Sequence, residues 1–206
     1  MKIYTSQANG AEKIQKALDY GVGYMLTPLT LPTKKVPGMF YCLDNGAYSA
    51  HRRGFPFNKT AFLRAINTLH DKGFTLDFIV VPDIITGGFR SMRYTHSFQR
   101  EHLDGGGNLA MAIQDGITMA NVTAYGLEEY THIFIGGSVE WKWKHAKDWI
   151  DFAHFHKKKA HIGRCGQLKY LELAKELGAD SVDSSSFNRN DSWHILDEFY
   201  KNKEGS

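Results

Sequence analysis

Short apolar runs alternate with longer amphipathic segments along almost the whole chain. The apolar runs predict eight β-strands, at Lys2–Tyr4, Val22–Leu26, Met39–Leu43, Phe78–Val81, Leu109–Ile113, Ile133–Ile135, Ala160–Ile162 and Ser181–Val182. Between most of them, apolar residues recur at helical spacing and predict helices such as Ala11–Tyr20, Thr60–Asp71, Glu140–Phe155, Gln167–Leu177 and Ser192–Tyr200. Alternation of this kind indicates parallel strands that are joined by crossover helices.

Eight strands favour a closed barrel over an open, doubly wound sheet, which stays the alternative for this pattern. The chain is therefore predicted to fold as a compact α/β protein, a single (β/α)8 TIM-like barrel over residues 1–200 followed by a tail at 201–206. The connection from Thr27 to Gly38 holds three of the five prolines and predicts a loop. In such barrels the active site lies at the carboxyl ends of the strands.

The composition narrows the class of protein. The N-terminus, MKIYTSQANG, becomes polar too early for a signal peptide, and no apolar run approaches the roughly 20 residues that span a bilayer, so the protein is predicted to be cytoplasmic. Cys42 and Cys165 are far apart, which argues against a disulfide framework and a cysteine-based zinc site. His154, His156 and His161 lack a fourth ligand at suitable spacing, so no metal is predicted.

The net charge of +3 is too small to establish a nucleic-acid partner, so local clusters matter more. Tryptophans and lysines are mixed in the predicted helix Glu140–Phe155. Such a mixture is able to grip a single strand by stacking and phosphate contact, and Lys142 and Lys144 are predicted to bind nucleic acid. Packing of the helix against the barrel explains the tryptophans equally well, and a solvated face is the default interpretation of the lysines.

Six consecutive predicted strands are followed by polar residues or glycines. The segments are DNGAYS after the third strand, PD after the fourth, QDG after the fifth, GGS after the sixth, GR after the seventh and DSSS after the eighth. Each segment alone is typical of a turn or of a helix N-cap. Because parallel strands deliver all six to one rim of the barrel, together they predict a polar site.

The types of these residues indicate a ligand. Two carboxylates, such as Asp44 and Asp183, suit substitution at the anomeric carbon of a sugar, where one attacks and the other handles protons. Asp83 is suited to accept two parallel N–H bonds, and Gln114 and the backbone amides of Gly136 and Gly137 are suited to donate to a carbonyl oxygen. Ser138, which follows them, is predicted to bind substrate as well. Guanine presents N1–H and a 2-amino group on one side and O6 on the other, which complements this set.

The motifs LDNGAYSA, VVPDI, MAIQDG, FIGGSVEW and HIGRCGQLKYLELAKELGADSVDSSSFNRN, in this order, resemble a shortened tRNA-guanine transglycosylase barrel. The chain is similar in particular to the 7-deazaguanine DNA transglycosylases of phages and bacterial DNA-modification islands. The resemblance covers about Tyr41 to Asn190. It implies that Asp183 is the nucleophile and Asp44 the general acid/base.

For substrate binding, the resemblance implies that Asp83, Gln114 and the backbone at Gly136 and Gly137 read the base. Arg189, in the FNRN segment, falls near the family's arginine-containing segment, which implies that Arg189 binds phosphate of the nucleic acid. The implied reaction exchanges guanine in DNA for a 7-deazaguanine such as preQ0 through a covalent intermediate, without a cofactor. A partner protein that opens the duplex stays an open question.

Two departures from the tRNA enzymes bear on this expectation. Their C-terminal zinc site of three cysteines and a histidine, which supports dimerisation and tRNA docking, has no counterpart in this sequence. Asn45 also stands where they have serine, which weakens the transfer of base contacts. The alternatives are the same exchange on tRNA, a barrel enzyme that acts on a phosphosugar, and a non-catalytic subunit that binds nucleic acid.

Overall fold

The chain folds into a closed barrel of eight parallel strands, in the order β1 to β8, with β8 paired to β1. The computed structural model describes residues 1–103 and 107–204. Its strands are β1 (Lys2–Ser6), β2 (Gly23–Leu26), β3 (Tyr41–Leu43), β4 (Leu76–Val80), β5 (Leu109–Ile113), β6 (His132–Ile135), β7 (Lys159–Ile162) and β8 (Ser181–Ser184). The predicted (β/α)8 fold is thus confirmed, and each predicted strand overlaps one of these.

Helices cover the outside of the barrel. They are α1 (Ala11–Asp19), α2 (Ala47–Arg52), α3 (Lys59–Asp71), α4 (Phe89–His102), α5 (Met119–Tyr125), α6 (Val139–Phe155), α7 (Leu168–Glu176), α8 (Ser186–Arg189) and α9 (His194–Glu204). The helix α9 continues four residues into the predicted tail. The last two residues of the tail lie outside the described residues, as do Gly105 and Gly106. No α-helix lies between β2 and β3, as the proline-rich sequence of that loop predicts.

Side chains of successive strand residues point alternately into the barrel and out towards the helices. The interior is filled by Tyr4, Cys42, Phe78 and Val80 with the small residues Ala110 and Ala112. The larger apolar cluster lies between the strands and the helices. Among the described residues, no helix is both long and apolar enough to cross a bilayer.

The alternation decides which strand residues reach the site. In β8, Val182 belongs to the cluster under the helices, so its neighbour Asp183 points into the barrel. In β7, Ile162 also belongs to the outer cluster, and His161 points inwards. The register pairs His161 with Ser181 and Asp183 with Tyr4. The barrel therefore brings a histidine and a carboxylate together at its carboxyl end.

Candidate active site

Three of the predicted site carboxylates meet at the carboxyl end of the barrel. Asp183 lies in β8, Asp44 directly follows β3, and Asp83 follows β4 by three residues. All three are partly buried. Burial, and then the negative charges of Asp183 and Asp83, raise the pKa of Asp44, as expected for carboxyl groups that share one end of a barrel.

The carboxylate of Asp183 is held by one oxygen only. Its Oδ1 accepts from Nε2 of His161 at 3.1 Å and from the backbone N–H of Arg164 at 3.3 Å. Because a carboxylate only accepts, Nε2 carries a proton in this contact, and Nδ1 lies within hydrogen-bonding distance of Oγ of Ser181, at 2.8 Å. Within the described residues, Oδ2 has no hydrogen-bond partner, and the side chain is 14% exposed. Asp183 therefore presents a fixed carboxylate with one free oxygen, which is the geometry of a nucleophile.

The carboxyl group of Asp44 is poised for proton transfer near neutral pH. Burial, followed by the negative charge of Asp183, raises its pKa to about 7. Hydrogen bonds from two backbone N–H groups work in the opposite direction, that of Gly46, which donates to Oδ2 at 3.1 Å, and that of Asn45. A general acid/base is most effective when its pKa lies close to the working pH. Asp44 and Asp183 thus have the different environments that an acid/base and a nucleophile require.

Asp83 is supported from both sides by buried amides. Nδ2 of Asn45 donates to Oδ1 of Asp83 at 3.0 Å, and Nε2 of Gln114 donates to Oδ2 at 3.2 Å. Gln114 also donates to the carbonyl oxygen of Ile84 at 2.9 Å, which only accepts and so fixes the orientation of the amide. Burial raises the pKa of Asp83. Each oxygen keeps a further lone pair, so the carboxylate is able to accept two parallel N–H bonds.

Asn45 is a site residue, although in the sequence it stands out only as a departure from the tRNA enzymes. Its side chain is 3% exposed and fully engaged, since Nδ2 also donates to the carbonyl oxygen of Val81 at 3.1 Å and Oδ1 accepts from the N–H of Ala47 at 2.8 Å. These bonds hold the loop after β3 against the end of β4. An asparagine at this position therefore aligns Asp83, which a serine is too short to do in the same way.

The glycine segment after β6 offers fewer donors than the sequence predicts. The N–H of Gly136 is used in the barrel ladder, where it donates to the carbonyl oxygen of Ile113 at 2.9 Å. Ser138 donates from its backbone N–H and its hydroxyl to the carboxylate of Asp115, both at 2.7 Å, and caps α6. The predicted donation from Gly136 to a base is therefore wrong, and Ser138 is occupied in the same way. Among the described residues, the N–H of Gly137 is not hydrogen-bonded and stays available.

Arg164 spans the mouth above these carboxylates. Its guanidinium lies 4.9 Å from the centre of the Tyr48 ring and donates through Nη2 to the carbonyl oxygen of Gly137. Its backbone adopts a φ of 63°, which is uncommon for a residue with a side chain. The side chain thus joins the loops after β3, β6 and β7 over the site. Tyr48 is 39% exposed there and presents an aromatic face.

The three predicted nucleic-acid contacts have different surroundings. Lys142 is 1% exposed, and its Nζ donates to the carbonyl oxygen of Gly163. The predicted phosphate contact by Lys142 is therefore wrong, because its ammonium group is enclosed between α6 and the end of β7, where burial lowers its pKa. Lys144 and Arg189 are exposed, so their roles stay predictions.

The tryptophans of α6 pack inwards. Trp149 is 3% exposed, and Trp143 is partly buried and stacks on Tyr170 with ring centres 4.8 Å apart. The core face of α6 therefore explains these tryptophans, as the packing alternative proposed.

Searches against protein-family models and against curated proteins find no match to this chain. The interpretation of the site consequently depends on its geometry and chemistry.

Proposed function

We propose that this protein is a guanine transglycosylase of the tRNA-guanine transglycosylase superfamily that exchanges guanine in DNA for a 7-deazaguanine base such as preQ0. The observation that carries the proposal is the pair of unlike carboxylates at the barrel mouth. Asp183 is fixed through one oxygen, and Asp44 has a pKa raised to about 7. Asp83, a third carboxylate held by two amides, supplies acceptors that match the N1–H and 2-amino groups of guanine.

The proposed reaction proceeds in two displacements. The target nucleotide is flipped out of the stack, since C1′ is not reachable inside a duplex. Oδ2 of Asp183 attacks C1′ and the C1′–N9 bond breaks, while protonated Asp44 gives its proton to the departing guanine. The incoming 7-deazaguanine then loses its proton to Asp44 and attacks C1′, which releases the Asp183 carboxylate. Two inversions retain the anomeric configuration.

Expression of the protein in cells supplied with preQ0 tests this proposal. Digested DNA from these cells, analysed by mass spectrometry, is expected to contain a 7-deazaguanine deoxynucleoside that is missing from cells expressing Asp183→Asn. A modified ribonucleoside found only in tRNA would select the tRNA alternative. Unmodified DNA and tRNA, with the protein present and folded, would contradict the proposed activity.

Base selection gives a prediction for Asp83. In Asp83→Asn, the NH2 group of the new amide faces the N1–H and 2-amino groups of guanine, which are also donors, so a hydrogen bond is lost. Each buried hydrogen bond that is lost costs about 1–3 kcal/mol, or about 5- to 150-fold in affinity. Hypoxanthine lacks the 2-amino group and is expected to compete poorly with guanine for the wild type, and less poorly for the variant. Competition assays with both free bases measure this. The control Asp115→Asn, whose carboxylate bonds Ser138, should keep the wild-type preference; equal discrimination in all three proteins removes Asp83 from the base edge.

His161 is expected to act as a positioning residue for Asp183. His161→Phe keeps an aromatic ring beside Phe134, whose ring centre is 4.7 Å away, but loses the hydrogen bond to Oδ1. A hydrogen bond to a charged group contributes about 1.5–3 kcal/mol, so kcat should fall by about 10- to 150-fold. The KM for an oligonucleotide should hardly change, because His161 is fully buried. His161→Gln, which retains a donor, should recover part of kcat; a raised KM at constant kcat would contradict this role.

A further inference from the structure

A long groove opens beside the carboxylates, on the side of the barrel formed by the loops after β1, β2, β3 and β8. Its volume is about 1000 Å³. We call it the β1–β3 groove, and the lining residues that matter here are Lys13, Leu29, Arg53, Phe55, Lys59 and Arg189. Asn45 and Gly46 form its inner end, where they donate to Asp83 and Asp44. The groove therefore adjoins the proposed base site through these two residues.

The lining of the groove is strongly cationic. Lys13, Arg53, Lys59 and Arg189 line it, and among the described residues no carboxylate does. All four are exposed, and within the described part of the chain none of them forms a salt bridge. A sugar phosphate requires one or two cations, whereas four cations spread over several loops match a polyanion.

Exposed apolar side chains accompany these charges. Phe55 is 66% exposed and Leu29 is 70% exposed. Phe57 anchors the segment that carries Phe55, since its ring packs 5.9 Å from Phe62 and 6.1 Å from Phe98 between ring centres. Pro56 restricts the backbone between the two phenylalanines. Phe55 is thus presented to solvent by a well-anchored loop, as an aromatic platform for an unstacked base would be.

We infer that the β1–β3 groove holds the single strand of nucleic acid on one side of the flipped nucleotide, with Lys13, Arg53, Lys59 and Arg189 at its phosphates and Phe55 against a base. This inference rests on the proposed function, because the strand enters the groove from the base site. The groove also replaces the predicted phosphate contact at Lys142, which is buried between α6 and the end of β7. Cations next to aromatic faces are typical of sites that bind single strands without reading their sequence.

A salt titration of binding tests the groove. The probe is a 12-nucleotide single-stranded DNA with one central guanine, followed by fluorescence anisotropy over a sodium chloride series. For Arg53→Ala/Lys59→Ala the slope of log K against log salt should flatten by about 0.7 for each phosphate contact, or about 1.4 in all. The control Lys34→Ala/Lys35→Ala removes two exposed charges outside the groove and should keep the wild-type slope.

Stacking is tested with 2-aminopurine placed next to the guanine, first on one side and then on the other. Binding should change its fluorescence at one of the two positions, and Phe55→Ala should abolish that change while Phe55→Trp retains it. Wild-type slopes in Arg53→Ala/Lys59→Ala, or an undiminished signal in Phe55→Ala, would overturn the inference. If base exchange is intact in that case, only the assignment of the groove as the strand-binding site is wrong. If the slope flattens in the variant but the wild type never exchanges guanine, the proposed function is wrong and the groove still binds a single strand.

Discussion

Asp183→Asn is expected to abolish base exchange and to lower turnover by about four orders of magnitude or more, the scale reached when an enzyme loses its nucleophile. The amide retains an oxygen for the donors His161 and Arg164, so the fold and this contact should survive. Without an incoming base, the wild type should accumulate a denaturant-resistant adduct with a guanine-containing oligonucleotide, visible by gel electrophoresis. Asp183→Asn should form none, because a carboxamide does not attack C1′.

A matched control separates this effect from the general loss of a carboxylate inside the barrel. Asp77 accepts from the hydroxyl group of Tyr4 at 2.6 Å and from Nζ of Lys2 at 2.8 Å, in the layer of the barrel away from the site. Asp77→Asn is expected to reduce thermal stability but to retain adduct formation below its unfolding temperature. Undiminished adduct in Asp183→Asn would move the nucleophile to another residue.

Asp44→Asn is expected to slow the first displacement by about 10²- to 10⁴-fold, the usual contribution of a general acid. In the wild type, the raised pKa of Asp44 keeps this group protonated up to about pH 7. Adduct formation in a single turnover should therefore fall as the pH rises above about 7, roughly tenfold per unit. Asp44→Asn should show no such limb between pH 6 and 9. The same fall in rate above pH 7 in the variant would show that a group other than Asp44 protonates the departing guanine.

The shift also predicts a change in stability that does not depend on activity. A carboxyl group whose pKa is raised by folding stabilises the folded state while it is protonated, and this contribution is lost as the pH rises from about 4 towards 7. Asp44→Asn, which does not ionise, should therefore gain thermal stability relative to the wild type as the pH rises through this window. A constant difference between the two melting temperatures would contradict the raised pKa.

The barrel was predictable because most strands carry uninterrupted apolar runs, whereas one large helix was not. The core face of α4 includes the polar residues Ser91, Thr95 and Gln99 beside Met92 and Phe98. Apolar periodicity is therefore too weak there to indicate a helix. The hydroxyl groups of Ser91 and Thr95 are hydrogen-bonded to the backbone of Ile84 and Pro82, in the segment after β4. This depends on the tertiary structure and is not visible in the sequence.

Lys142 illustrates a residue that composition misassigns. A lysine is normally exposed, so the sequence predicts an exposed, nucleic-acid-binding Lys142. In α6, however, Lys142 is in helical register with Ala146, Trp149 and Ala153, which form the buried face. This helical periodicity is the feature of the sequence that indicates burial of Lys142. The sequence does not reveal which group accepts the hydrogen bond from Lys142. The acceptor is the carbonyl oxygen of Gly163, which directly follows β7 and is brought to α6 by the fold.

The site carboxylates were predictable from their positions after strands, but the residues that align them were not. His161 reaches Asp183 because the register of β7 and β8 pairs it with Ser181. Asn45 reaches Asp83 across two loops. Both contacts depend on strand register and loop geometry, which local patterns do not determine. The use of the Gly136 N–H in the ladder escaped prediction for the same reason.

Incorporation of isotopically labelled guanine into DNA is a direct test of base exchange by this protein, because the exchange of guanine for guanine requires no knowledge of the 7-deazaguanine. The purified protein is incubated with labelled guanine and an oligonucleotide that contains a single guanine, and the label in the recovered DNA is measured. We expect incorporation by the wild type, at the guanine position only, and none by Asp183→Asn. Equal label in both proteins, or none with any guanine-containing DNA or tRNA, would contradict it.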